Sequence, residues 1–170
     1  MDDHFSDLQN ALNICDDGGA HWIHIDVMDN QFVPNLTIGP SVVKSLRPKT
    51  EKFIDVHMMV IEPERLVEPF ARAGADNITF HIESVDDPNP IIDLIKSCGC
   101  KVGVSLKPQT PLSTIIPILG KIDIVMEIIG DNVEINFKVD NPTVANLLSE
   151  NNVNLQKSLT SQGLNLSNFN

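Results

Sequence analysis

The sequence predicts an α/β fold whose parallel strands close into a (β/α) barrel, and three observations lead there. Strand-like segments recur at about 20 to 30 residues, the length of one strand plus one helix. The stretches between them open near a proline and close on a glycine, the usual asymmetry of helix ends. Most of the strands are polar on one face, which suits a barrel interior better than an open sheet covered by helices on both sides.

Residues 1–17 read as a helix, amphipathic through Phe5, Leu8, Leu12 and Cys15. Residues 22–28 read as a strand. Alternate side chains of a strand point to opposite faces, so His24, Asp26 and Met28 share one face and Ile23, Ile25 and Val27 the other. A helix over residues 39–45 opens with Pro40. The strand at 53–60 repeats the first, with Asp55, His57 and Met59 opposed to Ile54, Val56, Met58 and Val60. A helix over 62–73 opens with Pro63 and stops at Gly74. The strand at 77–83 turns Thr79, His81 and Glu83 to its polar face, and a helix over 90–97 stops at Gly99. The strand at 101–106 carries Gly103 and Ser105 on that face, a helix over 111–119 stops at Gly120, and the strand at 122–126 follows. No GxGxxG follows the first strand, which counts against a dinucleotide-binding fold.

At 170 residues and 42% apolar the chain can bury one core, and a single barrel-type domain is expected over residues 1–150. The net charge of −11, from 12 basic and 23 acidic residues, argues against nucleic acid or an anionic membrane as partner. It leaves room for a small phosphorylated ligand, which backbone N–H groups and helix N-termini hold locally. No apolar run approaches the roughly 18 residues of a membrane span, and the start lacks the basic and apolar regions of a signal peptide. A soluble, cytoplasmic protein is expected. Cys15, Cys98 and Cys100 are odd in number and form no CxxC, so free thiols are expected rather than disulfides.

Two histidines on neighbouring strands, each two residues from an aspartate, outline a divalent metal site. A lone strand histidine is more often a hydrogen-bonded core residue; the pairing shifts the balance toward a site. Asp55 shares the ligand face and is read as the carboxylate that orients a histidine. His81 and Glu83 point inward as well, and hydrogen bonding between strands is their expected role. Met28 and Met59 are either core filler or an apolar floor for a ligand. Asp29 and residues 30–35 are either a plain surface loop or a functional βα loop.

The run His24-Ile25-Asp26-Val27-Met28-Asp29, within residues 19–40, closely resembles the signature of ribulose-phosphate 3-epimerases. Asp55-Val56-His57-Met58-Met59-Val60, Ala73-Gly74-Ala75-Asp76, Phe80-His81-Ile82-Glu83 and Gly103-Val104-Ser105-Leu106-Lys107-Pro108 do so too, in order from about Asp7 to Met126. The resemblance implies a (β/α)8 TIM barrel and an isomerase of the pentose phosphate pathway. It interconverts D-ribulose 5-phosphate and D-xylulose 5-phosphate through an enediolate, with a divalent metal (Zn, Fe, Mn or Co) stabilising the developing charge. It implies His24, Asp26 and His57 as metal ligands, Asp26 as one of two acid/base carboxylates, and Met28, Met59 and His57 as substrate-lining. A related barrel decarboxylase would interleave a lysine with the aspartates, and residues 26–29 hold none.

The ends depart from the pattern. The family's opening strand, of the type Ser-Ile-Leu-Ser-Ala-Asp, has no counterpart before residues 1–17, so the barrel is expected to lack its first strand. Bared sheet edges invite pairing with another chain, which makes a homo-oligomer an open expectation. After Met126 the family's Asn-Pro-Gly-Phe-Gly-Gly phosphate loop is replaced by residues 127–132 with no glycine pair, and the sixth helix is expected to be missing with it. Residues 135–141 resemble the seventh strand. There Asp140 is the one candidate for the fourth metal ligand and second acid/base group, or else a residue of a tail that only resembles the motif. Ten asparagines in residues 127–170, against six in residues 1–126, mark a change of composition, and residues 151–170 are expected to be poorly ordered. A non-catalytic or truncated homologue with a partial metal site is the alternative reading.

Overall fold

The computed structural model describes residues 8–129 and 132–134. In chain order they form α1 (Leu8–Asp17), β1 (Trp22–Met28), α2 (Pro40–Leu46), β2 (Phe53–Met59), α3 (Glu64–Ala73), β3 (Asn77–His81), α4 (Pro88–Ser97), β4 (Lys101–Leu106), a 3-10 run (Leu112–Lys121), β5 (Ile124–Ile129) and β6 (Asn132–Glu134). β1 to β5 lie side by side in sequence order and are parallel throughout. Parallel neighbours need a crossover across a sheet face, and α2, α3 and α4 make the first three. This is the parallel α/β architecture of a partial barrel.

The outward face of the sheet and the helices make one core. Ile54, Val56 and Met58 of β2, Ile78 and Phe80 of β3, and Val102 and Val104 of β4 are fully buried. They meet Val43 and Leu46 of α2, Val67 and Phe70 of α3, and Ile91, Ile92 and Ile95 of α4 in one cluster. With that face held by packing, the opposite face of each strand is fixed in direction, since the side-chain period is two. The three cysteines are free, with Cys100 buried. Among the described residues no helix is long and apolar enough to cross a membrane.

Three elements differ from the sequence reading. The helix predicted over 111–119 is a 3-10 run, and Gly120 lies inside it rather than beyond its end. Pro117 and Gly120, the two poorest α-helix formers, both fall inside the run. The strand predicted over 77–83 ends at His81 and the chain turns through a 3-10 turn at Ile82–Ser84. There Ser84 Oγ donates to the His81 carbonyl at 2.6 Å and occupies an acceptor that a longer strand would use. The strand predicted over 122–126 instead begins at Ile124, because Asp123 Oδ2 accepts the Val102 N–H at 2.9 Å and ends the preceding connection. β5 then runs to Ile129 and pairs antiparallel with β6, Ile128 opposite Val133. The strand predicted over 135–141 and the tail 151–170 lie outside the described residues.

Candidate metal centre

The register of β1 on β2 sets His24 beside Asp55, Asp26 beside His57 and Met28 beside Met59. On β1 the outward Ile23, Ile25 and Val27 are buried, so His24 and Asp26 are turned to the open inward face, with side chains 40% and 47% exposed. His57 on β2 faces the same way but lies on a strand between β1 and β3 and is 3% exposed. One oxygen, Asp26 Oδ1, lies 3.2 Å from His24 Nε2 and 2.9 Å from His57 Nδ1. A donor atom from each of the three residues thus falls within 4.8 Å of the others.

Both rings are gripped from behind. His24 Nδ1 lies 2.7 Å from Asp55 Oδ2, while Asp55 Oδ1 accepts from Asn77 Nδ2 at 2.6 Å and from Thr79 Oγ1 at 3.3 Å. This buried cluster exists because Gly103 has no side chain: a Cβ there would stand 2.1 Å from Thr79 Oγ1 and 3.1 Å from Asn77 Nδ2. His57 Nε2 meets His81 Nε2 at 3.0 Å, and His81 Nδ1 meets Glu83 Oε2 at 3.3 Å. The sequence reading gave His81 and Glu83 to bonds between strands, and His81 does bond across to β2, at His57; Glu83, carried by the turn after β3, reaches His81. Alternation put His57 and His81 on one face, but only the strand register could bring their rings together.

The electrostatics follow from these contacts. Asp26 and then Asp55 raise the pKa of His24 from 6.5 to about 10 in the metal-free protein, against the opposing effect of burial. Hydrogen bonds from His24 and then His57 hold the Asp26 carboxyl well below the usual carboxylate range. Burial, then the neighbouring His57, push His81 down to about 4, so its ring is neutral at pH 7. For Glu83, burial opposes ionisation, but the Thr110 hydroxyl and the Lys107 N–H outweigh it and hold the carboxyl low.

The loop after β1 closes back over the site. Asp29 Oδ1 accepts the N–H groups of Gln31 and Phe32, and its Oδ2 accepts that of Ile61 at 2.8 Å, tying this loop to the end of β2. Phe32 packs against His81 with centroids 4.9 Å apart and ring planes tilted by 48°, and Lys107 Nζ sits 3.9 Å over the Phe32 ring. Met28 and the buried Met59 lie side by side at the C-terminal ends of β1 and β2, one step beyond the donors. Asp140 lies outside the described residues. The donors present suit a divalent ion: imidazole and carboxylate atoms converge, and the second nitrogen of each imidazole is hydrogen-bonded, as ligating histidines usually are.

A parallel βα sheet with metal-capable donors near the C-terminal ends of its strands defines a barrel protein of the type that places chemistry on that rim. The model of the "Ribulose-phosphate 3 epimerase family" matches residues 1–132, and the chain belongs to that family. It is 46% identical over 124 residues to a ribulose-phosphate 3-epimerase of Synechocystis sp., covering 72% of this chain and 54% of that protein. It is 47% identical over 122 residues to that of Treponema pallidum, covering 72% of this chain and 56% of the relative. The chloroplastic ribulose-5-phosphate-3-epimerase of Arabidopsis thaliana is 46% identical over 124 residues. The chain spans about half the length of the curated relatives it matches. A second family model, "Flagellar hook-length control protein FliK", matches residues 116–170. Among solved structures, the tryptophan synthase alpha chain of Legionella pneumophila superposes with a TM-score of 0.55 at 11% identity, over 86% of this chain and 62% of that one, a likeness of fold.

Proposed function

We propose that this chain serves as a ribulose-phosphate 3-epimerase, interconverting D-ribulose 5-phosphate and D-xylulose 5-phosphate. The observation that carries the reading is the convergence of His24, Asp26 and His57 within 4.8 Å, in a segment about half identical to named epimerases. His24, Asp26 and His57 would hold a divalent cation, with Asp140 as a candidate fourth ligand. Such a cation, when bound, supplies Lewis-acid stabilisation of negative charge developing on the sugar oxygens. Asp26 is ionised at neutral pH, and both imidazoles meet its Oδ1, which leaves Oδ2 as the atom to take the proton from the carbon next to the ketone. Met28 and Met59 form an apolar floor that keeps water from the carbanionic carbon, and as thioethers they do not compete for a hard cation. Asp140 is the candidate to return a proton on the opposite face.

Turnover of D-ribulose 5-phosphate by the full chain, with Zn²⁺, Mn²⁺, Fe²⁺ and Co²⁺ supplied separately, tests the reading and names the metal. Activity that Asp26→Asn lowers by about 10² to 10⁴ supports it, the usual worth of one acid/base group. A folded, metal-loaded chain without turnover would make it a non-catalytic homologue that keeps a metal site.

A further inference from the structure

Behind the three donors runs a path of contacts that ends on a charged residue of another element. From Asp26 Oδ1 it passes to His57 Nδ1 at 2.9 Å, from His57 Nε2 to His81 Nε2 at 3.0 Å, and from His81 Nδ1 to Glu83 Oε2 at 3.3 Å. The hydrogens along it can be counted. A cation on the Nδ1 lone pair of His57 leaves that ring one hydrogen, on Nε2, which it donates to His81 Nε2; His81 then carries its own hydrogen on Nδ1, toward the Glu83 carboxylate. Every contact of the path is then filled, the cation standing where His57 and Asp26 would otherwise share a hydrogen.

We propose that Glu83 is a positioning residue that acts through His81 to fix the tautomer of His57, so that Nδ1 is presented bare to a divalent cation. The proposal rests on reading His24, Asp26 and His57 as a metal centre. The relay is built to hold its direction. Glu83 Oε1 accepts the Lys107 N–H at 2.7 Å, which leaves Oε2 for His81. His81 is 3% exposed, its ring is inclined 28° to that of His57 with centroids 5.0 Å apart, and Phe32 covers it under Lys107.

Two substitutions at one site separate this role from a loop tie. In Glu83→Gln the backbone N–H of Lys107 still needs the amide oxygen, so the amide NH₂ falls opposite His81 Nδ1. His81 then carries its hydrogen on Nε2, His57 is driven to the Nδ1–H form, and the lone pair is lost. In Glu83→Ala nothing dictates the tautomer, and His57 can still adopt the binding form. Zn²⁺ affinity of the full chain, measured by competition with a chromophoric chelator, is expected to fall about 10- to 100-fold in Glu83→Gln, the range for groups behind a ligand, and less in Glu83→Ala. A tie to the loop predicts the reverse order, because glutamine keeps the Lys107 bond and alanine does not; that order overturns the proposal while leaving the metal centre intact. Nitrogen-15 shifts of the unmutated, zinc-loaded chain give a test that no substitution can unfold. They should show hydrogen on His57 Nε2 and His81 Nδ1, and hydrogen on His81 Nε2 instead overturns the relay. An unmutated chain that binds no Zn²⁺ overturns the metal centre and the relay with it.

Discussion

β1 and β2 carry the same alternation of ligand-type and apolar residues, yet they hold their polar side chains by different means. On β1 the inward His24 and Asp26 are 40% and 47% exposed, and what orients them is a set of short bonds reaching across to β2. On β2 the inward Asp55, His57 and Met59 are buried, wedged between β1 and β3. Donors on β1 are thus set by hydrogen bonds in a partly wet site, and those on β2 by packing and a dry polar cluster. Substitutions on β1 should therefore change chemistry with little effect on folding, whereas those along β2, β3 and β4 should change folding as well.

Asp26→Asn is the largest expected effect on the β1 side. Metal-dependent turnover should fall by about 10² to 10⁴, while the urea unfolding midpoint of the metal-free chain moves by the equivalent of no more than about 1 kcal/mol, as for an exposed ion pair. A collapse of the fold in this variant would erase the distinction between the strands. Gly103→Ala probes the other side. It leaves every donor in place but sets a Cβ against Thr79 Oγ1 and Asn77 Nδ2. Stability should drop by about 1 to 3 kcal/mol, the cost of overpacking a filled interior. An unchanged denaturation curve would mean that the buried cluster is looser than its distances imply.

This difference was only half legible in the sequence. Alternation along residues 22–28 and 53–60 put His24, Asp26 and His57 on common faces, because a strand has a period of two and its apolar partners declare which side is core. The βα spacing gave the parallel order for the same reason, helices and strands each being marked by their own period. What alternation cannot carry is register across strands. Asp26 beside His57 and Thr79 beside Gly103 depend on how each crossover returns the chain, so the room that Gly103 leaves for the Asp55 cluster was invisible. Glu83 was placed on a strand face by counting, but the strand ends at His81, and a turn delivers its carboxylate to the ring two residues back. The 3-10 run before β5 shows the same limit: its apolar spacing fits an α-helix, but Pro117 and Gly120, the two poorest α-helix formers, both fall inside it.

Asp55→Asn tests the bridge between the two strands. The amide keeps the volume, but only one of its two ends can still accept, so either His24 or the Asn77 and Thr79 side chains lose their partner. Zn²⁺ affinity should weaken by about tenfold, at the lower end for a group behind a ligand. Unchanged affinity would mean that His24 needs no orienting partner and that β1 positions its own donors.

The smallest effect is a pH dependence centred on His24 and Asp26. In the metal-free chain His24 has a pKa raised from 6.5 to about 10 by Asp26 and Asp55, and that of Asp26 is lowered by His24 and His57. A group raised in the folded state stabilises it fully below the unfolded value and ceases to do so as pH passes the folded one. A lowered carboxyl does the opposite, contributing fully above its model value of 3.8. The contribution of this pair should therefore be greatest between about pH 4 and 6.5 and fade as the pH rises toward 10. Because His24 and Asp26 are each roughly half exposed, solvent screening keeps the change small. Urea midpoints in the presence of a chelator should decline across that upper window in the unmutated chain and decline less in His24→Gln. Equal declines would place the pH-sensitive contact elsewhere and remove the claim that β1 is held by charge.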